Sequence, residues 1–213
     1  MKEKLLTYKK HILLGAICLI AMLIEKKGYP ISVLAVYAAA FGCMLVACKG
    51  KLNFVNVLKL ALMSFIAMPI VNGIYNILVK VCYSGVENTA GLIISSLFVI
   101  IQSVGFIAVL FLAHRWVTKN KTSINKTDYI VLSALTLVRT VCSIVGDYIV
   151  ATALAGLGEA NTLYGYLEIL TASDNFYTQT ANMLLYATIF YVAVKLMGNS
   201  ESAEPNQDTI VSE

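Results

Sequence analysis

Charge is scarce in this sequence. Asp, Glu, Lys and Arg make up 13% of its 213 residues, against 59% hydrophobic residues, which is too little polar surface to coat a water-soluble globule. Histidine is almost missing. His11 and His114 are the two present, both at the ends of apolar runs and neither with a helical His partner. A His/Cys/carboxylate metal centre is therefore not expected, and no histidine lies deep enough to activate a serine within an apolar run. The five cysteines, Cys18, Cys43, Cys48, Cys82 and Cys142, are odd in number and four lie inside apolar segments, which argues for small buried thiols and against a disulfide framework. A glycine-rich phosphate loop is also lacking. Asp147 follows Val145-Gly146, but Ile144 stands where an intramembrane aspartyl protease of the Gly-x-Gly-Asp type would carry its first glycine. The other aspartate, Asp128, would lie ~28 Å away along one helix axis. No enzyme, no metal and no cofactor is expected.

What the chain has in abundance is apolar length. The expected fold is all-α: a polytopic membrane protein with a six-helix transmembrane bundle in residues 1–199 and an acidic, disordered tail in 200–213. The expected spans are 12–24, 31–48, 54–79, 90–112, 129–157 and 181–197. Pro69 interrupts the third and predicts a kink, because proline removes one backbone hydrogen bond. In the second, Ala35 with Ala39 and Ala38 with Gly42 form interleaved pairs of small residues four apart, a face for close packing within the chain or against a membrane partner subunit. His114-Arg115-Trp116 marks an interface after the fourth span. The segment 159–179 holds Glu159, Glu168 and Asp174 and no Lys or Arg.

Orientation follows from the distribution of basic residues. With the N-terminus inside, eleven Lys and Arg residues (Lys2, Lys4, Lys9, Lys10, Lys49, Lys51, Arg115, Lys119, Lys121, Lys126 and Lys195) fall on the inner side, and Lys26, Lys27 and Lys80 fall outside. Both termini are expected in the cytoplasm, and the protein in the bacterial plasma membrane. The basic loops are accounted for by topology and anionic lipid, so nucleic acid is not an expected partner; the lipid bilayer is.

The chain's polar content gathers around Arg139. At ~100° per residue, Ser133, Thr136, Thr140, Ser143 and Asp147 fall within ~120° of Arg139 on the fifth span. On the third, Asn72, Asn76 and Lys80 form a row with Pro69, and the fourth brings Ser95, Ser96, Gln102 and Ser103. A guanidinium at the bilayer midplane costs at least about 2.5–3.5 kcal/mol. Arg139 must therefore reach Gln102 and the Asn side chains of the third span, or await an anionic ligand. Asp147 lies ~12 Å further along the helix, too far for a comfortable direct pair.

In the expected orientation these groups share the outer leaflet, which predicts an outward-facing polar cavity. Its expected ligand-binding residues are Arg139, Asp147, Ser143, Thr136, Asn72, Asn76 and Gln102, and its expected ligand is a small solute. The function expected on this basis is a membrane transport component; the alternative is a non-catalytic scaffold, immunity or regulatory protein in which the polar stripes only hold the bundle together. In layout alone (length, six spans, inner termini) the chain resembles the substrate-capturing subunits of energy-coupling-factor vitamin importers. No motif carries that likeness and no residue role is transferred by it.

Overall fold

A computed structural model describes residues 2–25, 31–82, 89–119, 124–156 and 175–201, and all regular structure among them is helical. In chain order the helices are α1 (Lys2–Glu25), α2 (Ile31–Ala47), α3 (Phe54–Leu62), α4 (Met68–Cys82), α5 (Thr89–Thr118), α6 (Lys126–Gly156) and α7 (Phe176–Glu201). The expected acidic connection, with Glu159, Glu168 and Asp174, lies outside the described residues, as does the tail beyond 201. Among the described residues, four runs are long and apolar enough to cross a membrane: Phe54–Val81, Leu97–Thr118, Lys126–Val150 and Phe176–Gly198. Each exceeds the ~20 residues a spanning helix needs.

Helix ends extend past the apolar runs wherever no breaker stops them. α1 begins at Lys2, not at residue 12, because lysine, leucine and glutamate all favour helix and no Gly or Pro intervenes. α5 continues through His114 and Trp116 to Thr118. It stops where Lys119 adopts φ 60° and donates its N–H to the Arg115 carbonyl at 2.9 Å, a left-handed end normally given to glycine. At the start of α6 the Asp128 carboxylate accepts from the Asn125 N–H at 2.7 Å, one arm of a capping box.

Pro69 acts one turn earlier than expected. A π-helical turn, Met63–Ala67, separates α3 from α4. Proline at the second position of α4 offers no N–H to the carbonyl four residues back, and a widened turn relieves the crowding between its ring and that carbonyl.

By internal packing the chain forms two units. The first comprises Met1–Ala67, Ala108–Ile124 and Ile189–Glu213; the second comprises Met68–Ile107 and Asn125–Thr188. At the centre of the first is α2, which buries Ala35, Val36, Tyr37, Ala39, Ala40, Cys43, Met44 and Ala47. A helix apolar on every face suits a protein core or a membrane span, and α2 is 17 residues long. α1 lies tightly along it: a Cβ at Gly42 would stand 3.2 Å from Ile17, and the Cys18 and Cys43 sulfurs are 3.7 Å apart. Of the small-residue face, Ala35 and Ala39 are buried and Gly42 is half-buried against α1, while Ala38 is exposed. The π-turn joins this core through Phe65, whose ring centroid is 5.6 Å from that of Phe41. His114, expected at an interface, is completely buried, whereas its neighbours Arg115 and Trp116 are exposed.

Candidate functional site

The second unit buries an unusual amount of polarity: Gln102, Ser103, Thr136, Arg139, Thr140 and Thr188 are all inside. α6 contributes Arg139, which is 6% exposed. Its Nη1 donates to Ser103 Oγ at 2.5 Å and its Nη2 to Gln102 Oε1 at 2.6 Å. Gln102 and Ser103 are ~100° apart on α5, yet the planar guanidinium reaches both because its two terminal nitrogens form a fork. The Gln102 amide then passes the chain on, Nε2 donating to Asn72 Oδ1 of α4 at 2.6 Å. Three helices thus meet in one line, Arg139 to Gln102 to Asn72. Asn72 joins through Gln102.

A glycine makes this line geometrically feasible. A Cβ at Gly105 would lie 2.5 Å from Val71 Cγ1, so α4 and α5 approach each other as closely as an absent side chain permits. Val71 precedes Asn72 in the chain, and Gly105 lies one turn from Gln102. The tight crossing and the Asn72–Gln102 bond are therefore at the same level.

Beyond Arg139 the stripe opens. Thr136 is buried, and Thr140 is buried with its hydroxyl returned to the Thr136 carbonyl at 2.8 Å. Ser143 is half-buried, and Asp147 is exposed, as is Asn76 on α4. Tyr75, also on α4, lies close enough to Asp147 and Arg139 to feel both charges. Of the residues expected to form the site, the structure joins Arg139, Gln102 and Asn72 by hydrogen bonds and sets Thr136 and Ser143 on the same helix face as Arg139. Asn76 on α4 and Asp147 on α6 stand at the exposed end of the stripe. The side chains of Ser95 and Ser96 lie outside the described residues.

Two features escaped sequence reasoning. Tyr75 reads as one more apolar residue unless its hydroxyl is counted, one turn from Asn72. The second is the joint between α6 and α7. Asn175 caps α7, its Oδ1 accepting from the Tyr177 and Thr178 N–H groups at 2.9 and 3.0 Å, while its Nδ2 donates to the Gly146 carbonyl of α6 at 3.3 Å. Gly146 leaves room for it: a Cβ there would stand 2.6 Å from Thr178 Oγ1 and 3.2 Å from the Thr178 nitrogen. Gly146 precedes Asp147, so the joint fixes the wide end of the stripe. Asn175→Ala removes cap and bridge together and should lower stability by about 1–2 kcal/mol, read as a drop in the thermal midpoint of the purified protein; Asn175→Asp, which keeps the cap, should lose less.

What the arrangement can do chemically is orient a buried cation. Ser103 and Gln102 hold the guanidinium through uncharged oxygens, fixing its plane. No family model, no curated protein and no solved structure matches the chain.

Proposed function

We propose that this protein is a membrane transport component that captures a small solute from the outer side in a polar site around Arg139. It would do so as a six-span bundle with both termini in the cytoplasm of a bacterial cell, which adds α1 and α2 to the four helices long enough to span. The observation that carries the reading is the oriented, buried guanidinium of Arg139, with half-buried Ser143 one turn further along α6, exposed Asp147 one turn beyond that, and half-buried Tyr75 on α4. Maintaining a cation inside an apolar bundle is costly, and binding a solute is a use that offsets the cost.

The test is a solute screen on the purified chain with thermal stability as readout. A solute present at one hundred times its Kd should stabilise the protein by about 2.7 kcal/mol and should give no such shift with Arg139→Leu. If a broad panel of organic anions, zwitterions and vitamins shifts neither protein, the capture reading is rejected. The scaffold reading is then preferred, and the Arg139–Gln102–Asn72 line that ties three helices together supports it.

A further inference from the structure

We propose that the first unit holds the headgroup of an anionic phospholipid at a site made by Lys59 of α3 and Trp116 of α5. The site shares no residue with the Arg139 network and does not depend on the solute-capture reading.

Lys59 is the one charged residue of α3, FVNVLKLAL, and it is half-buried. Its Nζ lies 5.6 Å from the centroid of the Trp116 ring and donates to Asn56 Oδ1 at 3.3 Å. Asn56 is itself fixed, its Nδ2 donating to the Lys51 carbonyl at 2.7 Å. An ammonium carries three donors. One goes to Asn56 and the indole ring covers another side, which leaves a donor for a further acceptor. The lysine is thereby held in place with its charge available.

The surroundings select the ligand. Val55 and Leu62 lie one turn to either side of Lys59, Leu112 lies one turn before Trp116, and all three are exposed. A fixed cation rimmed by open apolar side chains from two helices suits a molecule with a phosphate head and hydrocarbon tails. Free phosphate would gain nothing from Val55, Leu62 or Leu112. Tryptophan at a membrane interface, with basic groups between helices, is the chemistry by which anionic headgroups are recognised.

Native mass spectrometry of the full chain in detergent tests this, with phosphatidylglycerol and phosphatidylcholine of matched acyl chains as probes. Phosphatidylglycerol should bind at least about fivefold more tightly, and Lys59→Gln should erase about fivefold of that affinity, the effect of one charge near the surface, without changing phosphatidylcholine. Lys59→Arg should keep the preference, as should Lys80→Gln in the second unit. Trp116→Leu should weaken phosphatidylglycerol about twofold to fivefold, and it serves as the deciding variant if Lys59→Gln does not fold. Soluble glycerol phosphate should not compete. Equal binding of the two lipids, an intact preference in the deciding variant, or displacement by glycerol phosphate would each overturn the assignment.

Discussion

Arg139→Leu should abolish solute capture while leaving the protein folded. The energies behind this expectation oppose one another. The substitution removes hydrogen bonds to Ser103 and Gln102. Between membrane helices such bonds are worth about 0.6–2 kcal/mol each, and the stranded Gln102 and Ser103 oxygens add a desolvation cost of the same order. Against this, the variant no longer buries a guanidinium, which recovers at least about 2.5–3.5 kcal/mol. The two sides partly cancel, so the net loss of stability should stay below about 5 kcal/mol. Binding has no such compensation: truncating one partner of a buried, charged hydrogen bond costs about 2–5 kcal/mol, or roughly thirtyfold or more in affinity. Solute binding by isothermal calorimetry beside a thermal melt separates the two roles. Retained binding would end the ligand-site idea; collapse of the fold would assign Arg139 to the framework.

Gly105→Ala should clearly destabilise the second unit, and Val71→Ala should restore most of the loss. The new Cβ would meet Val71 Cγ1 at 2.5 Å, well inside contact distance. Valine in a helix has one favoured χ1 rotamer, so it cannot turn away, and α4 must shift. Overpacking of this kind costs about 1–3 kcal/mol. The shift also pulls Asn72 from Gln102, which then no longer holds one side of the guanidinium. In a double-mutant cycle the Val71→Ala and Gly105→Ala changes should couple by about 1–3 kcal/mol in the compensating direction. Additive effects would mean that the crossing is not tight there.

How much of this was legible beforehand varies with the range of the interaction. Apolar length is a local property, so the apolar runs of all seven helices were visible, with α3 and α4 read as one span. Their ends were not, because charged residues such as Lys2 and Arg115 continue a helix as readily as leucine does, and α7 starts at Phe176 because Asn175 caps it. Projection angles brought Thr136, Arg139 and Ser143 to one face because helical phase holds within one helix. The same angles could not show that Gln102 and Ser103 would share a single guanidinium, since that depends on the reach of Arg139 across to α5. Nor could they mark Gly105 and Gly146. A glycine in a helix reads as a weak position until the atom it admits, Val71 Cγ1 or Thr178 Oγ1, is known. Pro69 was read correctly as a disturbance and misplaced by a turn, because the strain is taken up by the preceding carbonyls.

The central claim is that the polar stripe beside Arg139 is reached by water from outside the cell. Ser143, one turn beyond Arg139 and half-buried, is the position at which to ask. In intact cells, on a background with the native cysteines replaced (Cys142 is the immediate neighbour), Ser143→Cys should react with a membrane-impermeant maleimide added outside. A bound solute should slow that reaction. A thiol that stays inert from outside in intact cells, yet reacts once the protein is unfolded in detergent, would contradict the account.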